Sequence, residues 1–475
     1  MTVGLKAATF SAQLAGRLAS APAVIHAAGT WTTEELLARG AAAADWLDVL
    51  GVPAGTIVPA VCASSPDALA LLTGALGSER VLAPLGWRLT KRELAACVNG
   101  LNAQVIVAGA DVVSTAREVA TQAGCRLAVL PELGRSTRPL EFDASPDHLA
   151  LVLHTGGTTG LPKRVDVRQD RLAERVRVNS ALMGFDGDSV YATAAGFHHI
   201  AGLGMFVVAL GSGATVAPYA RFSLDVWRSL DDLGVTHALI VPTMIELLLR
   251  EGAFRSRRLR VLQYGSAPIH PDTLRATIEA LPGVALVQMF GQTEGSPISV
   301  LGPEDHRLAV AGQSDLVRSV GRAAPGVELR LEEPDAGGVG EIMARADHLF
   351  KVDDGGWLHS GDLGRIDADG YLYLVGRRGD RIIRGGENVY PVEVEEVLAR
   401  HPEVRDVAVV GVPDRYWGEA VKAVLVVDPS RRPSEDELRA FCRRELAGIK
   451  VPTVWEFRSE LPRSAQGKLL RRLLT

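Results

Sequence analysis

Between Leu153 and Lys163 the chain reads L-H-T-G-G-T-T-G-L-P-K, with three glycines, three threonines and one lysine. Glycine lets backbone N–H groups approach an anion closely, threonine hydroxyls add donors, and lysine adds charge. The combination is suited to a polyphosphate. It is not a Walker A loop, because Leu161-Pro162 stand where Lys-Ser or Lys-Thr would have to follow the last glycine. An apolar run from His148 to Leu153 leads into it and reads as a buried strand.

Other reactive letters carry less. His198 and His199 are adjacent, and on a strand they would face opposite ways, which argues against a shared metal. The D-A-D-G of Asp367 to Gly370 fails as a calcium loop. Aligned on Gly370, Arg365 takes the first ligand position and Gly376 that of the bidentate glutamate, so a hairpin turn is expected. His359, Ser360 and Asp362 spell a hydrolase triad in letters only, without a G-x-S-x-G elbow. Cys62, Cys97, Cys125 and Cys442 are far apart and form no C-x-x-C, which suits a reducing compartment and speaks against disulfides or zinc.

These residues need a large scaffold. The 475 residues exceed one ordinary core, so two or more domains are expected. Apolar residues at 47% and charged residues at 23% are those of a globular protein, and a net charge of −5 gives no basic footprint for nucleic acid. The N-terminus lacks a signal-peptide pattern, and a cytoplasmic location is expected. Between His199 and Arg221 no residue is formally charged, but four glycines interrupt the stretch. It reads as a buried helix, a turn and a strand rather than a membrane span.

Upstream of the loop, helices (Thr33 to Leu50, Pro66 to Gly77) alternate with short apolar strands (Ile57 to Cys62, Val81 to Leu85, Val105 to Ala108), which predicts parallel sheet covered by helices. The pattern resumes after His148, with helices from Pro242 to Arg250 and Pro271 to Leu281 and a strand from Val284 to Met289. From Gly321 short strands and glycine turns predict antiparallel sheet or barrel. A final segment holds a proline-started helix from Pro391 to Arg400, strands from Val407 to Val412 and Val421 to Val427, and a helix from Ser434 to Leu446 with a Ser434/Glu437 capping box. The fold class expected is α/β: a large N-terminal part of parallel sheets with helices plus a β-barrel-like part, and a final domain of roughly 100 residues.

Five short motifs then occur in order. They are the Thr155–Lys163 loop, Phe290-Gly291-Gln292-Thr293-Glu294, Ser360-Gly361-Asp362, Gly376-Arg377-Arg378-Gly379-Asp380, and Pro462-Arg463-Ser464-Ala465-Gln466-Gly467-Lys468. With P-L-G-W-R-L-T upstream (from Pro84), the chain resembles the adenylate-forming enzymes: acyl- and aryl-CoA synthetases, luciferases and nonribosomal adenylation domains. The resemblance implies a ligase that uses ATP, Mg²⁺ and CoA to convert an aliphatic or aromatic carboxylic acid to its thioester. A carrier-protein thiol is the alternative acceptor. The resemblance also implies bounds of 1–376 for the large N-terminal domain and 377–475 for a small mobile α+β C-terminal domain.

By that resemblance Thr155, Gly156, Gly157, Thr158, Thr159, Gly160 and Lys163 hold the ATP phosphates. Thr293 meets the α-phosphate and Glu294 holds Mg²⁺. Gly265-Ser266-Ala267, Gln288, Met289, Phe290 and Gly291 flank the adenine. Asp362 accepts the ribose hydroxyls and Arg377 supports the sugar. Lys468 is the adenylation catalyst, with Glu294 and Thr155. The acyl pocket draws on His199, Gly202, Thr243 and Gly295, and CoA on Gly385, Gly386 and Trp417. Two positions depart from the pattern. Arg164 replaces a glycine and is expected to face solvent; Gly379 stands at the hinge, where glycine's conformational range suits a pivot. No basic residue in the acyl-pocket segments stands ready for a second carboxylate.

Overall fold

The computed structural model describes residues 7–155, 161–267, 269–312, 314–463 and 469–475. The chain forms two compact units: Met1–Glu328 with Arg345–Leu358, and Leu329–Ala344 with His359–Thr475. The second therefore takes in a stretch upstream of the expected 376/377 boundary.

The larger unit is built on two sheets. In the six-stranded one, Arg126–Val129, Val105–Ala108, Ile57–Val61, Val81–Pro84 and Leu149–Thr155 run parallel, and Lys163–Arg168 closes an edge antiparallel to Leu149–Thr155. In the nine-stranded one, six strands from Ala285–Gln292 to Pro22–His26 are parallel, with antiparallel strands at both edges. Parallel strands buried on both faces read as continuous apolar runs, and Val105–Ala108 and His237–Ile240 are buried throughout.

Local chemistry fixes the helix ends. The Thr33–Val49 helix starts with a capping box between Thr32 and Glu35. Pro66–Leu76 has Ser65 as N-cap, proline in its first turn and Gly77 as C-cap. Gly40 and Gly74 let it pack tightly on Thr33–Val49, since a Cβ on Gly74 would lie 2.3 Å from the Gly40 carbonyl. The uncharged stretch between His199 and Arg221 gives the buried helix Leu203–Gly211, a turn and the strand Thr215–Pro218, as expected. No described helix is long and apolar enough to cross a membrane.

The smaller unit has a four-stranded sheet ordered Glu328–Glu332, Gly340–Arg345, Leu358–Ile366, Leu372–Arg377. Of the two readings open for this stretch, sheet and barrel, the described strands make a sheet. Asp367 to Gly370 is the expected hairpin turn, closed by Gly370 N–H to the Asp367 carbonyl at 3.1 Å. The five-stranded sheet that follows is dominated by the long Val404–Asp414/Gly418–Val427 hairpin, which packs on Pro391–Ala399 and Glu435–Arg443. The capping box at Ser434 and Glu437 is present, but the helix stops at Arg443, short of Leu446.

Candidate active site

Two hairpins of the larger unit carry the first group of predicted residues. Thr155 and Lys163 are cross-strand partners at the ends of their strands. Gly156, Gly157, Thr158, Thr159 and Gly160 lie outside the described residues. Lys163 is exposed and makes no ion pair among the described residues. Arg164 pairs with Asp166 through Nε at 2.5 Å and Nη2 at 3.2 Å on the exposed side of its strand, in line with the solvent-facing expectation.

Thr293 and Glu294 form the turn between Ala285–Gln292 and Gly295–Leu301. The Glu294 carbonyl accepts from the Phe350 N–H at 2.8 Å and the Lys351 N–H at 3.0 Å, which fixes the turn through the backbone. Its carboxylate accepts from the Thr155 hydroxyl at 3.3 Å, so the structure joins two motifs 139 residues apart. No cation neutralises it among the described residues. A half-buried carboxylate beside a hydroxyl is a hard-oxygen donor set that fits Mg²⁺. The hairpin also requires its glycines. A Cβ on Gly291 would lie 2.8 Å from the Gly295 carbonyl, and one on Gly295 would lie 2.6 Å from Leu349.

Gly265 ends a strand beside Met289, and a Cβ there would meet the Met289 carbonyl at 2.9 Å. Ser266 follows with φ +65°, left-handed for a non-glycine residue, and Ser266 and Ala267 are exposed. Such strain, of order 1–3 kcal/mol, concentrates at ligand sites. Gln288 and Met289 are buried and already partnered: Tyr264 Oη donates to Gln288 Oε1 at 3.4 Å and Gln263 Nε2 to Met289 Sδ at 3.1 Å. Phe290 is half-buried.

His198 and His199 do not sit on a strand. They occupy turns ahead of Leu203–Gly211, and their ring centroids are 3.8 Å apart, not on opposite faces. The strand expectation failed because the Gly196 carbonyl accepts from His199 N–H, folding the chain back. His198 is wedged against Gly86 and Gly196, and burial, then His199 and Arg88, hold it well below the ordinary imidazole value. Gly202 tolerates nothing larger, since a Cβ would lie 2.1 Å from the Gly196 carbonyl. Thr243 is exposed on the first turn of Pro242–Arg250.

In the smaller unit, Asp362 and Arg377 are cross-strand partners, with Arg377 Nε 2.9 Å from Asp362 Oδ1. Glu341, to which no sequence signal drew attention, accepts from Gly361 N–H at 3.1 Å and from Arg378 Nη1 at 2.8 Å, bracing the Ser360–Asp362 and Gly376–Arg378 motifs together. The pattern of short strands after Gly321 gave no hint of its partners.

Gly385, Gly386 and Trp417 are brought together. Gly385 N–H donates to the Trp417 carbonyl at 2.8 Å, and at φ +60° its missing Cβ leaves room for the Trp417 ring, 2.7 Å away. Trp417 is 41% exposed and its neighbour Tyr416 83%, an unusual display of aromatic surface. Lys468 lies outside the described residues. Gly379 sits in a turn whose Asp380 N–H donates to the Arg377 carbonyl at 3.0 Å, with open space at its Cβ position.

Comparison with known proteins gives one answer. Residues 10–352 match the family described as AMP-binding enzyme, and residues 393–468 its C-terminal domain. A fatty acid–[acyl-carrier-protein] ligase of Streptomyces coeruleorubidus is 33% identical over 95% of this chain and 92% of its own. A feruloyl-CoA synthase of an Amycolatopsis species is 33% identical over 95% and 94%. The o-succinylbenzoate coenzyme A synthetase of Bacillus subtilis, solved with ATP and magnesium ion, superposes with a TM-score of 0.87 at 28% identity, covering 98% of this chain and 99% of that one.

Proposed function

Because the chain belongs to the AMP-binding enzyme family, we propose that it is an AMP-forming acid–thiol ligase acting on an aliphatic or aromatic carboxylic acid, with ATP, Mg²⁺ and CoA. The observation that carries this reading is the Thr155–Glu294 hydrogen bond, which unites the phosphate-loop strand with the F-G-Q-T-E turn.

In the first step a carboxylate oxygen of the acid attacks the ATP α-phosphorus. The bond to the bridging oxygen breaks, pyrophosphate leaves, and an acyl-adenylate remains. Glu294, steadied by Thr155, would hold Mg²⁺, which when bound offsets phosphate charge. Thr155, Lys163 and the 156–160 segment position the phosphates; Thr293 meets the α-phosphate. Gly265, Ser266, Ala267 and Phe290 flank the purine, while Asp362, paired with Arg377, accepts from the ribose hydroxyls. Lys468 stabilises the charge that builds between two reacting anions.

In the second step a thiolate attacks the acyl carbonyl, AMP departs, and the thioester remains. Rotation of the last hundred residues about Gly379 withdraws Lys468 and brings up Gly385, Gly386 and Trp417. One site thus serves two geometries in turn, and closure keeps water from the mixed anhydride. CoA is the primary acceptor. The 33% identity to a carrier-protein ligase supports a carrier-protein thiol as the second reading.

Acid-dependent ATP–pyrophosphate exchange, run with a carboxylate panel, tests the first step; CoA against holo-carrier protein tests the acceptor. Lys468→Ala should lower exchange by about 10²–10³ while sparing thioester formation from supplied acyl-adenylate. Equal loss in both steps would remove Lys468 from its role, and no exchange with any acid would remove the ligase reading.

A further inference from the structure

Two arginines are buried in the layer of helices Phe10–Ala15, Gln169–Met183 and Leu203–Gly211, and they are treated in opposite ways. Arg17 uses every nitrogen: Nε to Thr33 Oγ1 at 3.2 Å, Nη1 to the Leu210 and Ala214 carbonyls at 2.6 and 3.1 Å, Nη2 to the Pro22 carbonyl at 2.7 Å. Arg175, only 2% exposed, has no partner for Nε or Nη1 among the described residues, and Nη2 reaches only Met205 Sδ at 3.8 Å. A buried guanidinium with donors left over is costly unless something supplies acceptors.

No carboxylate does so among the described residues. Among the described residues Arg175 interacts with the ionisable groups of Tyr191 and His348, and both sit neutral: burial raises the first and lowers the second. Its surroundings tie it to two segments expected to line the acyl pocket. Met205 N–H donates to the Gly202 carbonyl at 3.1 Å, and His348 Nε2 is 2.8 Å from the Pro297 carbonyl, two residues past Gly295. The expectation that no basic residue stands ready for a second carboxylate therefore changes. Arg175 was hidden because it lies on the neighbouring helix, on the same face as Leu172, Val176 and Met183.

We infer that Arg175 is a specificity-determining residue, whose free N–H donors receive an acceptor oxygen at the far end of the acid, best an anionic one. This rests on the ligase reading above. An acid with that oxygen supplies what the protein lacks, whereas a plain hydrocarbon tail leaves the donors unmatched. Sites built to hydrogen-bond a substrate group discriminate strongly against analogues without it.

The test is exchange kinetics on matched acids: heptanoate, 7-hydroxyheptanoate and heptanedioate, and cinnamates carrying 4-methyl, 4-hydroxy or 4-carboxy groups. The wild type should favour an acceptor-bearing acid over its hydrocarbon match by about 10-fold or more in kcat/KM. The carboxylate and hydroxyl arms show whether charge or the acceptor alone is read. Arg175→Met should erase or invert the preference, and Arg175→Lys should keep part of it for the carboxylate. If the wild type prefers the hydrocarbon acids, or if folded Arg175→Met keeps the wild-type ratio, the inference falls and Arg175 is structural. The wild-type panel decides even if the variants do not fold, and it separates this failure from that of the ligase reading, in which no acid supports exchange.

Discussion

Glu294, in a turn between two strands, and Asp362, within the strand Leu358–Ile366, are both motif carboxylates, yet the fold prepares them for different partners. Glu294 receives one long hydrogen bond, from Thr155 at 3.3 Å, and no cation among the described residues. Its position is held by the backbone, through Phe350 and Lys351. Asp362 is 9% exposed and already faces Arg377 at 2.9 Å. A carboxylate left short of positive charge is ready for a metal ion; one oriented by a guanidinium is placed to accept from neutral hydroxyls. The backbone anchoring of the first also means that its charge can be removed without dismantling the turn.

That contrast can be broken most directly at Glu294. Glu294→Gln should cut pyrophosphate exchange by about 10²–10³ and raise the Mg²⁺ concentration needed for half-maximal rate. Its melting temperature should stay within a few degrees, because the turn is tied by its carbonyl. A variant with unchanged Mg²⁺ dependence would mean that Glu294 is not the metal's carboxylate. Asp362→Asn should act on the sugar instead, raising the KM for ATP by about 10-fold or more, the worth of a charge-assisted hydrogen bond. The wild type should discriminate against 2′-deoxy-ATP and the variant should not. Retained discrimination would detach Asp362 from the ribose.

Much of this was legible in the sequence, for physical reasons that also mark the limits. The proline-started helix Pro242–Arg250 and the strand Val105–Ala108 fall as expected because their signals are local: a fixed φ at the first turn, a run of buried β-branched residues. The motif order located the hairpins at Thr155 and Glu294, but only the fold shows them hydrogen-bonded. Local reasoning failed where tertiary contact decides. His198 and His199 left the strand because glycines at 86, 196 and 202 allow a tight fold-back. Glu341 and Arg175 went unnoticed since nothing about a single charged residue reveals whether it is braced, as Glu341 is, or unmatched, as Arg175 is.

A smaller effect separates the two half-reactions. Trp417→Ala removes a half-exposed ring from beside Gly385 in the smaller unit. Adenylation, read by exchange, should be unchanged, while thioester formation with CoA should slow about 10-fold, the usual cost of losing an aromatic contact. Loss of exchange in this variant would tie Trp417 to the first step and erase the division of labour.

The smallest effect concerns acid stability, and it belongs to the larger unit. Burial pulls His154 and His237 down to about 4, and lowers His198, His306 and His348 as well. All five lie in Met1–Glu328 with Arg345–Leu358. Each would titrate near 6.5 when unfolded, so below that pH the unfolded chain binds more protons, and stability must fall as pH drops from 6.5 toward 4. Carboxylates with lowered values, such as Asp186, Asp231 and Glu456, start from 3.8 or 4.5 and add their loss only below about 4.5. Between pH 6.5 and 4.5 the decline is therefore set by the histidines. Hydrogen exchange across that window should show the larger unit losing protection first, and His237→Gln should flatten the slope. If the Gly418–Val427 strand of the smaller unit opens before His237–Ile240, buried neutral histidine is not what limits this protein in acid.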